Sequence, residues 1–431
     1  MSGTDTGPPP EVAPVRPRLL TRALTTWLAA ATLALLADGL LYFALGWEAS
    51  RFGGRSAAVV LTLITLPRML LLLTGGTTAD RWGMRRTVLC SDAVLCLLLV
   101  ALLLALRSTG SSVPLLALLA STLGIVSAFR MPAAGAFPRL LADGPQLARA
   151  MALTGTVLTT ARLAGTALGG LAVALLALQG VVLAAVVGYL AVLLLVWNVR
   201  VPEAPPPHRA SPPQRSLALA RRTPGVLPLL LAVGLLAGSV LPILGLLVPL
   251  AARARSWTSG QTGLIEAAWL VGTLGVSLIV ARVGTWPSAR GPFVAGPMIT
   301  AVGTGVIAWA ANPTVAAAGA VVLGIGTAVF TSHAMPLLVH RTPAGMLARF
   351  QALLGLAQAA AILAATNGLG LLASHVGPTT AIVAAAGACA CASAGVLATP
   401  SLRTAALPND RQSEGQPEQA QGAPRSGNTS R

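Results

Sequence analysis

Residues 24–47 read LTTWLAAATLALLADGLLYFALGW, an apolar run without Lys, Arg or Pro and with a single acid, Asp38, near its middle. At 1.5 Å per residue a helix of this length spans about 36 Å, enough to cross a hydrocarbon layer of about 30 Å and too long for the core of a secretory signal. It reads as a retained first crossing over 24–46. The same criterion places crossings at 56–79, 87–106, 113–137, 150–174 and 180–199, and then at 226–250, 261–282, 292–311, 315–338, 350–373 and 378–399. The expected fold class is an all-α polytopic membrane protein, with twelve transmembrane helices in two bundles of six.

Composition agrees. Of the 431 residues 55% are hydrophobic and only 10% charged, where soluble domains carry about 25% charge, and mean hydropathy is +0.77. Aromatic residues are few while glycines number 45, so helix packing must rest on small residues and close backbone approach. A net charge of +17 in a soluble chain would point to nucleic acid, but here the arginines lie between apolar runs and not in one patch. Lys is absent, which removes both a phosphate-binding P-loop lysine and a Schiff-base lysine. No cofactor is expected, and energy must come from an ion gradient or a partner. Cys90, Cys96, Cys389 and Cys391 lie inside apolar runs without metal or redox spacing, and read as small core residues.

The expected organisation is a cytoplasmic tail over 1–22, a six-helix bundle over 23–199, a cytoplasmic linker over 200–224, a second bundle over 225–400 and a disordered cytoplasmic tail over 401–431. The linker holds Pro202, Pro205, Pro206, Pro207, Pro212 and Pro213, a composition that does not span lipid. Connections on one side hold only Arg51, Arg55, Arg107, Arg253 and Arg255, whereas Arg16, Arg18, Arg22, Arg81, Arg85, Arg86 and most other connecting arginines fall on the other. By the positive-inside rule both termini face the cytoplasm of a multi-pass protein of the plasma membrane. The lack of Lys and the Ala-rich composition suggest a bacterial source. An internal repeat supports the 6 + 6 division: Leu147-Ala148-Arg149, Ala152-Leu153 and Gly155 recur at an offset of 200 as Leu347-Ala348-Arg349, Ala352-Leu353 and Gly355, each entering the fifth helix of its half.

Between the second and third helices stands Gly76-Thr77-Thr78-Ala79-Asp80-Arg81-Trp82-Gly83-Met84-Arg85-Arg86. Gly83 permits a tight turn, Gly76 a close approach of helices, and Asp80 with Arg81, Arg85 and Arg86 can serve helix ends, carboxylates or lipid phosphates. This segment resembles the signature loop of the major facilitator superfamily of secondary transporters. The resemblance implies that Gly76, Asp80, Arg81, Gly83, Arg85 and Arg86 form a cytoplasmic latch between the bundles. In the fifth helix Gly165-Thr166-Ala167-Leu168-Gly169-Gly170 is similar to the glycine motif of exporters in that superfamily, with Thr166 where those exporters carry Pro, and implies that Gly165, Gly169 and Gly170 pack helices. Ala37-Asp38-Gly39, Asp92 and Phe137-Pro138-Arg139-Leu140-Leu141 resemble the branch of siderophore exporters and macrolide efflux proteins, with Met151 where that branch carries Asn.

Five charges lie within the apolar runs: Asp38, Arg68, Arg130, Arg162 and Glu266. Each costs about 2.5 to 3.5 kcal/mol at a helix centre, so they are expected to face a wet cavity or one another. At helical spacing Asp38 shares a face with Tyr42, Arg162 with Thr159, Gly165 and Thr166, and Glu266 with Thr262, Gly263, Trp269 and Thr273. Asp38 lies about 21 Å along its helix from the cytoplasmic end, beyond easy snorkelling, which makes it the first candidate for a titrating carboxylate and Glu266 the second. A permanent ion pair of Asp38 with Arg130 or Arg68 is the competing reading. Gln358 shares a face with Gln351 and Gly355 and joins the candidate cavity set, while His333 reads as a hydrogen-bonded core residue.

The expected function is secondary active efflux of a small amphipathic natural product, drug or siderophore by alternating access, coupled to protons. Three intramembrane arginines against two carboxylates would suit an anionic or neutral substrate. The expected partners are that substrate, protons and membrane lipid, with no nucleic acid and with the chain as a monomer. Uptake of a small organic anion by symport and a scaffold without transport are the alternatives. The chain has no His-Glu-x-x-His and no nucleophile with its base, so no enzymatic activity is expected.

Overall fold

The computed structural model describes residues 21–141, 145–199, 226–284, 286, 288, 290–342 and 347–399. The expected linker over 200–224, most of the N-terminal tail and the tail over 401–431 lie outside the described residues. Twelve α-helices appear: α1 (Arg22–Ala49), α2 (Gly54–Trp82), α3 (Met84–Thr109), α4 (Val113–Leu141), α5 (Pro145–Asn198), α6 (Val226–Pro242), α7 (Val248–Ala254), α8 (Ser259–Val283), α9 (Arg290–Ala308), α10 (Pro313–Arg341), α11 (Leu347–Val376) and α12 (Pro378–Ala398). Their ends carry ordinary signals. Thr21 caps α1 by accepting from the Leu24 amide at 3.2 Å, Thr258 and Gln261 form a reciprocal capping box at the start of α8, and Asn312 caps α10. Gly83, at φ +86°, separates α2 from α3, a conformation that a Cβ would strain.

The fifth and sixth crossings are two helical arms, labelled together as α5, that meet at a corner at Ala177, where φ is 53° and ψ is −179°, between the expected runs 150–174 and 180–199. One departure from the expected runs stands in the second half. The seventh crossing is α6, a π-helical segment (Ile243–Leu247) and α7 in succession, continuing to Ala254. Of the cysteines only Cys96 and Cys389 are buried; Cys90 and Cys391 are exposed, so the reading of all four as core is corrected for those two.

The helices form two halves, α1–α5 and α6–α12. Within the first, α1 packs chiefly on α5, and α2 and α3 on α4; within the second, α6 packs on α11, and α8 and α9 on α10. The halves meet mainly through α5 with α8 and α2 with α11. Advancing each crossing by six turns the pair 5 and 8 into the pair 11 and 2, so the seam itself has two-fold character, as parallel repeats require.

Among the described residues the seam is tight on the side away from Thr21 and Thr399. There a Cβ on Gly263 of α8 would stand 2.6 Å from Gly170 Cα of α5, and one on Gly54 would stand 2.7 Å from the carbonyl oxygen of Gly370. Gly170 and Gly370 are 200 residues apart, the offset of the sequence repeat. Arg253 donates to the Trp47 carbonyl at 2.7 Å and to Ser50 Oγ at 2.6 Å, with its guanidinium 4.2 Å from the Trp47 ring centroid. Asn367 donates to Thr62 Oγ1, and the Arg55 amide to Ser374 Oγ, each at 2.8 Å. Toward the terminal side, Gly155 and Gly355 have nothing within 4 Å of a built Cβ among the described residues. Among those residues the two halves are closed on one side and apart on the other.

Because the obstruction at Gly263 is backbone, Gly263→Ala should force the closed side open. In a chain whose four native cysteines are replaced by serine, maleimide labelling of a Thr62→Cys reporter should become faster with Gly263→Ala. Unchanged labelling would mean that this seam is not what closes that side.

Candidate transport cavity and its buried ion network

A cavity of about 220 Å³ lies between the halves at mid-depth. From the first half its wall takes Asp38, Gly39 and Tyr42 of α1, Thr65 and Arg68 of α2, Ser127 and Met131 of α4, and Arg162 and Thr166 of α5. The second half supplies Leu241 of α6, Leu244 and Gly245 of the π-helical segment, Glu266 and Trp269 of α8, and Ile362 of α11. The π turn matters locally. A Cβ on Gly245 would lie 2.9 Å from Tyr42 Oη, so widening the helix there lets α1 and the seventh crossing meet at the cavity.

Of the residues expected to gather here, Asp38, Tyr42, Arg68, Arg162 and Glu266 stand on the wall. Gln358 does not. It is half-buried, and Ile362, one turn further along α11, takes the wall position. Arg130 lies behind the wall, 6% exposed, where it pairs with Asp38. Tyr189, from the second arm of α5, donates its hydroxyl to the other Asp38 oxygen, and its ring lies 5.5 Å from the Arg130 guanidinium.

Asp92 completes the network and corrects the count of five intramembrane charges. It is 1% exposed in α3, and its Oδ1 lies 3.6 Å from Arg130 Nε. That separation is an ion pair without a hydrogen bond, since both Asp92 oxygens and Arg130 Nε lack hydrogen-bond partners among the described residues. One guanidinium therefore serves two carboxylates. With Asp92 included, three arginines face three carboxylates, and the inference of a positive cavity from simple excess does not hold.

The remaining groups divide clearly. Arg68 and Arg162 line the same cavity, and neither has an ion pair within 4.0 Å or a hydrogen-bond partner among the described residues. Glu266, 6% exposed, has no cation within 4.0 Å among them, and Thr166 is the hydroxyl neighbour of its carboxylate. The Trp269 indole N–H also lacks an acceptor. His333 is a satisfied core residue: its Nδ1 bonds to the Val329 carbonyl at 2.8 Å, and its Nε2 accepts from the Trp286 amide at 3.1 Å.

The glycine motif of α5 brings backbones together. A Cβ on Gly165 would lie 2.7 Å from the Leu36 carbonyl oxygen, one on Gly169 would lie 2.5 Å from Phe43 Cβ, and Gly170 meets Gly263 across the seam. At the α2–α3 turn Asp80, Arg81 and Arg86 are exposed, and Gly76 has nothing within 4 Å of a built Cβ. Arg85 alone of that loop's arginines is anchored, donating to the Trp197 carbonyl at 2.5 Å at the C-terminal end of α5. Among the described residues the loop's hydrogen bonds stay within its own half, on the side where the halves stand apart.

A pair of six-crossing bundles around a shared mid-depth cavity fits a membrane transporter. The sequence pattern of the Major Facilitator Superfamily matches residues 27–366, and the chain belongs to that superfamily. No curated protein matches it. Among solved structures it is similar to the POT family transporter PepTSo, at 12% identity and a TM-score of 0.68 over 88% of this chain and 97% of that one. It is similar to a mutant of the nucleoside transporter NupG, at 12% identity and a TM-score of 0.68 over 88% and 100% of the two chains. A POT family transporter in complex with 5-aminolevulinic acid matches at 13% identity, with a TM-score of 0.68 over 88% and 96%. At these identities the likeness is one of fold.

Removing Arg130 leaves two acids buried without their cation, a change that costs about 3 to 5 kcal/mol. Arg130→Ala should lower the thermal melting temperature of the purified protein markedly, and Asp92→Asn should lower it less, because Arg130 keeps Asp38. Equal melting of Arg130→Ala and the unsubstituted chain would remove the network from the folding account.

Proposed function

We propose that this chain is a proton-coupled exporter of small amphipathic molecules, working by alternating access. The observation that carries the reading is a cavity walled by both halves and sealed on one side by a seam of glycines. Rocking about that seam would carry the same residues from one face of the membrane to the other. The terminal side is assigned to the cytoplasm from the arginine distribution, so the conformation described here receives substrate from inside the cell. The chain is placed in the plasma membrane of a bacterium. The motifs in α1 and after α2 support the siderophore and macrolide export branch.

Coupling is assigned to Asp38. It stands at the boundary between the cavity and the buried network, its side chain 25% exposed, within reach of a proton arriving through water. When Asp38 takes that proton, Asp92 still compensates Arg130, so no bare cation is left in the membrane interior. The network thus leaves Arg130 a carboxylate partner in either arrangement, which supports Asp38 as the group that exchanges a proton for substrate.

In an efflux-deficient bacterium making the full chain, cells should tolerate higher concentrations of an amphipathic macrolide or catecholate, with labelled compound depleted from the cells. Asp38→Asn should abolish that gain and its dependence on the proton gradient while leaving a folded protein. Accumulation of the compound would identify uptake by symport. Loss of the folded protein in Asp38→Asn, with export intact in Asp38→Glu at every imposed gradient, would make the pair purely structural.

A further inference from the structure

Among the groups on the cavity wall, Arg68, Arg162 and the Trp269 indole are all donors, and none has an acceptor among the described residues. Trp269 is 8% exposed, so bulk water does not fully serve its N–H. Asp38 also reaches this wall, but its carboxylate is taken up by Arg130 and Tyr189 and bonds to neither wall arginine among the described residues. What distinguishes the wall is pairing. Two guanidiniums from α2 and α5 of one half line the same cavity, while the wall carboxylate without a cation, Glu266, belongs to the other half.

Two arginines lining one confined, partly apolar space are stabilised by an anion that bonds to both, and planar guanidiniums match carboxylates and related oxyanions geometrically. The rest of the lining sets the body of the ligand. Leu35, Leu123, Leu241, Leu244 and Ile362 offer apolar contact around the polar groups.

We infer that Arg68 and Arg162 form an anion clamp, and that the substrate is an amphipathic molecule bearing one acidic group, held between these two guanidiniums with its apolar body against the leucine-lined wall. This assignment rests on the transport reading for the identity of the cavity but is tested by binding alone. An acidic head would bring the two guanidiniums an acceptor that the wall carboxylates Asp38 and Glu266, neither of them bonded to Arg68 or Arg162, do not supply. A lipophilic cation would meet two like charges and be disfavoured.

The test uses three naphthalene probes of similar size: 2-naphthoate, its uncharged amide, and 2-naphthylmethylammonium. Binding to the purified full chain is followed by tryptophan fluorescence, with Trp269→Phe identifying the signal from the cavity. The carboxylate should bind about tenfold more tightly than the amide, as expected for one charge-assisted interaction, and the ammonium should bind most weakly. Arg162→Gln and Arg68→Gln should each erase most of the carboxylate's advantage without changing affinity for the amide, and Arg162→Lys should keep part of it. Amide affinity thus reports that each variant is folded and its cavity intact, and should the Gln variants fail to fold, the three-probe order in the unsubstituted chain decides alone. Equal binding of carboxylate and amide, or preference for the ammonium, would overturn the clamp. Export of an uncharged compound without preference for the carboxylate would overturn the clamp and leave the transport reading standing. Tight binding of the carboxylate by a chain that moves nothing in vesicles would do the reverse.

Discussion

Arg130 between Asp38 and Asp92 is the interaction on which the first half of the molecule depends. A lone guanidinium at that depth would be expelled from lipid or would drag water inward. Held by one acid from α1 and another from α3, with Tyr189 from the second arm of α5 bonded to the same Asp38, it ties four elements to one point. Its position then decides where the cavity lies, since Asp38 must reach back to Arg130 while its remaining surface meets water. The network holds helices together, with one guanidinium shared between two carboxylates.

The second constraint is backbone contact at the seam. Lipid offers no hydrophobic drive for helices to associate, so close packing of small residues supplies the adhesion. Gly170 against Gly263, and Gly54 against Gly370, let α5 approach α8 and α2 approach α11 on one side only. Contacts of this kind are local. They can act as a fulcrum without committing the faces on the terminal side, and the bare surroundings of Gly155 and Gly355 are the counterpart of the crowding at Gly170 and Gly370.

Much of this was legible in the sequence because lipid imposes a simple rule: a crossing must be long and apolar, and any exception must have a reason. The twelve runs, the two-fold repeat and the wall positions of Asp38, Tyr42, Arg68, Arg162 and Glu266 follow from that rule. Asp92 escaped it by lying two turns after the arginines of the signature loop, where an acid reads as part of a polar helix end, although α3 buries it completely. Tyr189 escaped because a tyrosine is affordable in an apolar run, and only geometry reveals what its hydroxyl touches. Gln358 was placed on the wall by helical spacing, but spacing gives the face of a helix and not its rotation relative to a neighbour, and Ile362 holds that place. The corner at Ala177 was legible as well, since it falls between the apolar runs 150–174 and 180–199, beside Gln179 and Gly180.

Opposed motion of the two ends of the molecule is the central physical claim, and distances between spin labels measure it directly. In a chain without its native cysteines, one labelled pair at Gly155→Cys and Gly355→Cys reports the terminal side, and a second at Phe52→Cys and Val376→Cys reports the other. Measured by double electron–electron resonance between acidic and neutral pH, the first distance should shorten in the condition in which the second lengthens. Both distances holding fixed, or changing in the same direction, would contradict rocking about the glycine seam.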